Sequence, residues 1–328
     1  MSVTLARCAA TDIDPVVRFI DQHWKRGHIL VTSRALLEWQ YRNPDGSYSF
    51  IVARRDEGDI VGLLGYIPTA RYDPSLASAN VVWLTTWTVR ADANVAALGL
   101  SLLQHLDRAE PHVAIGAIGL NPDTRPMYAA LGYRVGEMVH YAASASASIA
   151  ETPLEATAIS DATDFDALSL ASPHGTVPRK TPRYFYNRYA AHPFYRYHVT
   201  MLRDGARPVG LLAARVARHE RLRALRIVDF LGTPDAFARS GRAIQTLMRQ
   251  CDAAYADVYT IGLDAATLAC AGFAPVDPDG ATIVPDHFEP FEPRNVRLWY
   301  AIRGSGEPVL FKGDSDQDRP NRIGDGRA

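Results

Sequence analysis

The chain has 328 residues, of which 47% are hydrophobic and 22% charged, and its formal net charge is −1. This length accommodates two ordinary domains or one large one, and the composition is typical of a soluble globular protein. The near-zero net charge excludes a global basic field for nucleic acid and a polybasic region for anionic lipid.

The three cysteines are Cys8, Cys251 and Cys270, which are too few and too far apart for a disulfide framework or a metal site. The first residues lack the apolar core of a signal peptide, and no apolar run approaches the ~20 residues that span a bilayer. We therefore expect a protein of the reducing cytoplasm, with no metal and no membrane span.

An internal repeat organises the predicted elements. A hairpin predicted at residues 50–72 has a counterpart at 197–219, and Gly62-Leu63-Leu64 of the first recurs as Gly210-Leu211-Leu212 of the second. Each hairpin is followed by a strand, an amphipathic helix, a buried strand and a short helix that ends in Gly-aromatic. These elements lie at 81–89, 97–109, 114–120 and 128–133 in the first half, and at 224–231, 241–254, 257–263 and 268–273 in the second. The shared order indicates a duplication.

Low-complexity sequence separates the halves, and the end of the chain is polar. We predict an N-terminal unit at 1–145, a linker at 146–160, a C-terminal unit at 161–303 and a partly disordered tail at 304–328. The fold class is α/β, with two units that each have a mixed, mostly antiparallel central sheet flanked by helices. An Arg-rich stretch at 215–226 is either a phosphate-binding strip or, the favoured interpretation, the edge of a strand-loop-strand.

This order of elements resembles the GCN5-related N-acetyltransferase (GNAT) fold, and the chain resembles it twice. A closer likeness is to tandem GNAT proteins of bacterial surface-polysaccharide gene clusters. The segments that carry this likeness are HWKRGH at 23–28, WQY at 39–41, WLTTWTV at 83–89, FEPF at 288–291 and FKGDSDQDRPN at 311–321. The resemblance implies acetyl-CoA or another acyl-CoA as co-substrate and a small amine as acceptor. The closer likeness implies an amino sugar or a nucleotide-linked amino sugar.

The resemblance also implies where the acyl-CoA binds. GNAT enzymes hold the pyrophosphate on a Gln/Arg-x-x-Gly-x-Gly/Ala turn that opens a helix, because consecutive backbone N–H groups there bind anions and small residues let phosphates approach. Here Asn94, Ala97, Leu98 and Gly99 form a degenerate version of that turn, and residues 238–243 form a second candidate. Both depart from the pattern, so the choice between the two units stays open, with the first favoured.

Acyl transfer needs a stabilised oxyanion and a proton for the departing thiolate. By the resemblance, backbone groups near Thr88 and Val89 hold the oxyanion. Tyr128 is the general acid, and Asn121 is a cofactor contact. The second half has Leu268 at the position that corresponds to Tyr128, so we interpret it as the degenerate unit.

The remaining assignments concern the base and the acceptor. His28 and Asp229 are candidate catalytic residues, although a carboxylate inside a strand, as at Asp229, is either directed into a cleft or a satisfied buried group. The residues assigned to the acceptor site are Trp24, Glu38, Trp87, His287 and Glu289. The alternating aspartates at 314, 316 and 318 lack the Gly and the bidentate Glu of a calcium-binding EF-hand loop, and we expect this segment to cap the interface between the halves.

Two other functions remain open. One is an aminoacyl transferase similar to the FemABX enzymes, which the near-neutral charge and the lack of a coiled-coil insertion disfavour. The other is a GNAT-like binding protein that has lost activity, which the degenerate phosphate turns favour. Stabilisation by acyl-CoA discriminates between these possibilities.

Overall fold

The computed structural model describes residues 3–55, 58–150 and 152–319. The strands are β1 (Val3–Cys8), β2 (Tyr48–Arg55), β3 (Ile60–Pro68), β4 (Val81–Val89), β5 (Ala114–Ile118), β6 (Arg134–Ser144), β7 (Glu155–Ala158), β8 (Thr176–Val177), β9 (Tyr197–Asp204), β10 (Arg207–His219), β11 (Leu222–Gly232), β12 (Tyr255–Ile261), β13 (Ala274–Pro275), β14 (Leu298–Gly304), β15 (Glu307–Pro308) and β16 (Leu310–Phe311).

The helices fall between these strands, and several short 3-10 turns accompany them. The α-helices are α1 (Ile13–His23), α2 (Ile29–Thr32), α3 (Arg34–Tyr41), α4 (Leu98–Ala109), α5 (Arg125–Ala130), α6 (Ala162–Asp166), α7 (Pro182–Phe185), α8 (Pro234–Ala238), α9 (Gly241–Gln250) and α10 (Ala265–Cys270). The predicted hairpins, helices and central strands of both halves are present, and most of their ends lie within a few residues of the predicted ones. The tail at 304–328 is predicted to be partly disordered, and its residues 320–328 lie outside the described residues.

Within the described residues, 14 strands form one mixed sheet. Its main path runs β1-β2-β3-β4-β5-β14-β6-β12-β11-β10-β9-β7, while β13 pairs with β6 and β16 with β12. Most of these pairs are antiparallel, and the parallel ones in this sheet are β4 with β5 and β11 with β12. The predicted α/β class with a mostly antiparallel sheet is confirmed.

Apolar side chains cover both faces of the sheet. Helix α4 buries Leu98, Leu102 and Leu106 against strands β2 to β5 in one core. Residues of α8, α9 and α10 form a corresponding core in the second half. The largest core joins α1, α2 and α3 of the first half to β9 and β10 of the second, so the two halves share a hydrophobic core.

Two strands are exchanged between the halves at the centre of the sheet. Strand β14 follows the second half in sequence, but it pairs with β5 and with the first part of β6. The later part of β6, from Val139 to Ser144, pairs with β12 of the second half. The predicted boundary at residue 303 assigns β14 to the second unit, whereas its hydrogen-bond partners lie in the first.

The tail is anchored in the second half by buried charges. Strand β16 pairs with the end of β12, and Lys312–Asp314 continues as a 3-10 turn. The Lys180 ammonium lies between the carboxylates of Asp229 and Asp314, at 2.7 Å from Asp314, and all three side chains are buried. Burial and the neighbouring Asp229 raise the pKa of Asp314 to about 7. Two carboxyl groups thus share one ammonium, so a negative charge on both of them at the same time is unfavourable.

The exchanged strands predict that a fragment ending at residue 145 does not fold by itself. Without β14, strands β5 and β6 would each lose a ladder of backbone hydrogen bonds. We expect no cooperative thermal transition by circular dichroism for this fragment, and recovery of the transition when residues 146–328 are co-expressed. A sharp transition from the fragment alone would contradict the interpretation.

The charge cluster predicts a pH-dependent effect of Asp314→Asn. The folded protein keeps a proton on Asp314 that the unfolded chain releases above pH ~4, so this group lowers stability as pH rises towards 7. Relative to wild type, the free energy of unfolding of Asp314→Asn should rise by at most about 1.4 kcal/mol per pH unit across that window. Urea unfolding of both proteins at several pH values measures this free energy. If the difference between variant and wild type does not change with pH, the raised pKa of Asp314 is refuted.

Candidate active site

The candidate site lies where two parallel strands part in the first half. Strand β4 pairs with β5 only from Val81 to Trp83. The next residues of β4 are irregular, because the register against β3 shifts between Leu84 and Trp87. A cavity of about 510 Å³ opens between the separated strand ends, which exposes backbone groups of β4 that β5 would otherwise pair.

Seven of the residues predicted for the site line this cavity. They are Trp24, Trp87, Thr88, Val89, Gly99, Asn121 and Tyr128. They come from the segment after α1, the end of β4, the start of α4 and the loop and helix after β5. Residues separated by about a hundred positions therefore meet at one place.

Tyr128 lies on α5 and forms part of the cavity wall. Its ring packs edge-on against Trp87 at 5.9 Å and against Tyr133 at 5.1 Å between ring centroids. Burial raises the pKa of the Tyr128 phenol above its ordinary value. The hydroxyl therefore stays protonated at neutral pH.

The turn before α4 has an unusual backbone. Asn94 and Ala97 adopt left-handed conformations, with φ of 49° and 54°. Leu98 is buried in the core and anchors the helix start, whereas Gly99 lines the cavity. A Cβ added at Gly99 would lie 3.4 Å from Trp87 Nε1. The turn thus presents the first N–H groups of a 12-residue helix beside the cavity.

Asp229 and Glu38 do not line this cavity. Asp229 accepts hydrogen bonds from Lys180 and from the Tyr189 hydroxyl, and it has no exposed surface. The sequence leaves two alternatives for Asp229, a carboxylate directed into a cleft or a buried carboxylate with hydrogen-bond partners. The structure shows the second. Glu38 accepts a hydrogen bond from Tyr48 at 2.6 Å and pairs with Arg34 at 2.7 Å.

His28 is close to the cavity but is poorly suited to accept a proton. It is buried at the start of α2, where its Nδ1 accepts the Leu30 backbone N–H at 3.2 Å. Its Nε2 lies 3.4 Å from the Arg319 guanidinium. Burial and the positive charge of Arg319 lower the pKa of His28 to about 3, so the ring is neutral at physiological pH.

Three tail residues that sequence reasoning did not assign to the site also line the cavity, namely Asp316, Gln317 and Arg319. Arg319 pairs with Asp316 at 3.1 Å. The Gln317 amide packs against Gly119, where an added Cβ would lie 2.5 Å from the Gln317 side chain. The repeated aspartates give no signal of this placement, because it depends on where the tail runs in space.

His287 and Glu289 line a different and smaller cavity of about 140 Å³. This cavity lies among β10, β11, the 286–289 loop and the tail. Gln317 and Arg319 line both cavities. The predicted acceptor residues are therefore divided between two adjoining spaces.

The corresponding gap in the second half is filled by the chain itself. Strand β11 pairs with β12 only from Ala224 to Ile227, and the tail occupies the space beyond. A Cβ added at Gly313 would lie 2.6 Å from both the Val228 carbonyl and the Tyr189 hydroxyl. The second phosphate-turn candidate is also covered, because a Cβ on Gly241 would lie 2.7 Å from the Ile149 side chain.

Two further observations concern metal ligands and membrane-spanning helices. Among the described residues, no group of three or more His, Cys, Asp or Glu side chains is placed to hold a metal ion. In the same part of the chain, every helix is too short or too polar to cross a membrane.

No protein-family model and no curated protein matches the sequence. Solved structures do resemble it. A GCN5-related N-acetyltransferase from Anabaena variabilis ATCC 29413 matches with a TM-score of 0.57 and 14% identity, over 92% of this chain and 72% of that one. A GCN5-related N-acetyltransferase from Kribbella flavida matches with a TM-score of 0.52 and 12% identity, over 92% of this chain and 71% of that one. At these identities the likeness concerns the fold, and the chain therefore has the fold of the GCN5-related N-acetyltransferases.

Proposed function

We propose that this protein is an acyl-CoA-dependent N-acyltransferase whose acyl-CoA binds in the first half. The observation that carries the proposal is the cavity of about 510 Å³ between the parted ends of β4 and β5, bordered by Gly99 and Tyr128. Its parts match the needs of acyl transfer, namely a helix start for phosphates, free strand backbone for the thioester and a protonated phenol.

The two covered features of the second half support the choice of the first. The tail fills the gap between β11 and β12, and Ile149 packs on the start of α9. An acyl-CoA in the second half would have to displace both segments, including the buried Lys180, Asp229 and Asp314 cluster. In the first half neither displacement is needed.

The chemistry proceeds by direct attack. The neutral amine attacks the thioester carbonyl carbon, and backbone N–H groups near Thr88 and Val89 stabilise the oxyanion. When the tetrahedral intermediate collapses, the carbon–sulfur bond breaks, and Tyr128 donates its proton to the departing thiolate. The amide product keeps the acyl group, and the proton lost by the amine goes to solvent.

We propose that neither His28 nor Asp229 acts as the general base, and that each has a positioning role. With a pKa of about 3, His28 would accept a proton only in strong acid. Its contact at 3.4 Å instead orients Arg319 at the cavity wall. Asp229 holds Lys180 and, through it, the tail.

For the acceptor we propose an amino sugar or a nucleotide-linked amino sugar, with acetyl as the acyl group, in surface-polysaccharide synthesis in the cytoplasm. Support comes from the sequence segments that resemble tandem GNAT proteins of such gene clusters. The Trp24 and Trp87 rings at the cavity are consistent with it, because aromatic side chains offer flat apolar surface to a sugar.

Binding of CoA tests the site, with Gly99→Leu as the disrupting variant. Leucine at the second position of α4 should block the phosphates without harming the helix, since leucine favours helix over glycine. We expect acetyl-CoA at 100 times its Kd to stabilise wild type by about 2.7 kcal/mol, and to stabilise Gly99→Leu far less. Arg242→Leu, at the second position of α9, is the matched control and should behave as wild type. An absence of stabilisation in wild type would eliminate the proposed function.

Replacing Tyr128 by phenylalanine tests the proton donor. We expect kcat to fall about 100-fold, the usual contribution of a general acid, while the Kd of acetyl-CoA changes by less than about twofold. Tyr133→Phe is the control, because Tyr133 packs against Tyr128 but does not line the cavity. Equal turnover in the two variants would remove Tyr128 from this role.

A further inference from the structure

The smaller cavity, of about 140 Å³, adjoins the candidate active site across the tail. The Gln317 and Arg319 side chains line both spaces, so a molecule whose reactive end lies in the larger cavity can reach the smaller one past these two residues. None of the steps proposed for acyl transfer uses the smaller cavity.

The wall of the smaller cavity is rich in cations. Among the described residues, the wall contains two carboxylates, of Asp286 and Glu289, and five cations, namely Arg215, Arg218, Arg226, Lys312 and Arg319. Three of these cations have carboxylate partners. Arg226 pairs with Asp286 at 3.2 Å and with Asp257 at 3.3 Å, Lys312 pairs with Asp286, and Arg319 pairs with Asp316.

Arg215 differs from these three. Across residues 3–55, 58–150 and 152–319, no carboxylate oxygen comes within 4.0 Å of its guanidinium. It lies opposite Arg226 in the β10–β11 ladder, on the same face of the sheet. The charge of Arg226 is already balanced by Asp257 and Asp286, whereas Arg215 has no carboxylate partner among the described residues, and a negative group in the cavity would supply one.

Donor groups at this cavity also lack acceptors. Arg215 Nε and Arg226 Nε are buried and have no hydrogen-bond partner within the described part of the chain. A buried donor without an acceptor costs about 1–3 kcal/mol, so native structures rarely leave one unmatched. The paired charges of Arg226 and Lys312 cannot reorganise easily, because both are buried. Of the two, the half-buried Arg215 is the one that can turn to meet an acceptor supplied by a ligand, because Arg226 is held by Asp257 and Asp286.

We infer that the smaller cavity binds an anionic group, a carboxylate or a phosphate, at the end of the acceptor remote from its amine. This inference rests on the proposed function, and it narrows the acceptor to amines that carry such a group. Guanidinium groups match carboxylate and phosphate oxygens with paired hydrogen bonds. A cavity of about 140 Å³ has room for one such group. The Arg-rich stretch at 215–226 thus contributes phosphate-binding or carboxylate-binding side chains from within a strand-loop-strand.

The first experiment compares matched acceptors. Release of CoA from acetyl-CoA is measured with glucosamine against glucosamine 6-phosphate, and with butylamine against 4-aminobutyrate. We expect kcat/KM to be at least about tenfold higher for the anionic member of the preferred pair, the value of one charge-assisted hydrogen bond. The pair that shows the preference distinguishes phosphate from carboxylate.

Arg215→Gln should abolish that preference through KM, leaving kcat and the Kd of acetyl-CoA unchanged. Arg215→Lys keeps the charge and should retain part of the preference for phosphate, while losing the forked geometry. The control is Arg207→Gln, an exposed arginine at the far end of the same strand, which should keep the full preference. Equal use of neutral and anionic amines, or an unchanged preference in Arg215→Gln, would overturn the inference.

A direct titration separates this inference from the proposed function. Inorganic phosphate, pyrophosphate and malonate are titrated by thermal shift in the presence of saturating CoA, which occupies the larger cavity. Wild type and Arg207→Gln should be stabilised by at least one anion, and Arg215→Gln should need about tenfold more of it or show no shift. If CoA itself does not bind, the proposed function fails while the same titration without CoA still decides the anion site. Stabilisation that is equal in all three proteins, or absent in wild type, refutes the site.

Discussion

Parallel strands that part leave backbone N–H and C=O groups without their ladder partners, and buried groups of this kind must find others. This constraint acts twice in the molecule, beyond Trp83 in β4 and beyond Ile227 in β11. In the second half the tail supplies the missing partners, because β16 pairs with the end of β12. In the first half the strand ends border a cavity. The first half therefore has a cavity at the position that the tail fills in the second half.

The exchange of β6 and β14 makes this asymmetry possible. Because β14 completes the first half, the chain that leaves it at Gly304 starts beside that half and then returns to the second. It fills the gap there with Leu310–Asp314 and reaches the first cavity with Asp316 to Arg319. One segment thus fills the gap in the second half and lines the cavity in the first.

Buried charges specify the course of the tail. Lys180 pairs with Asp229 and Asp314, Arg188 pairs with Asp318, and Lys312 pairs with Asp286. Buried ion pairs contribute little net stability, since desolvation offsets much of their attraction, but an unpaired buried charge costs several kcal/mol. A tail displaced by even one residue would leave such charges unpaired. The network therefore selects one path for the tail more than it strengthens the fold.

Local patterns in the sequence were sufficient to predict the hairpins, the helix at 97–109, which begins at Leu98 in the structure, and the placement of Tyr128 after β5, because hydrophobic period and turn chemistry act over a few residues. Only the tertiary structure decided three other features. These are the strands with which β14 pairs, the filling of the gap in the second half by the tail, and the burial of Asp229 against Lys180. A carboxylate directed into a cleft and one paired with Lys180 have the same neighbours in sequence. Pairing between residues far apart in the sequence, 49 positions for Lys180 and Asp229, has no local signature, since its free energy arises from groups that meet only after folding.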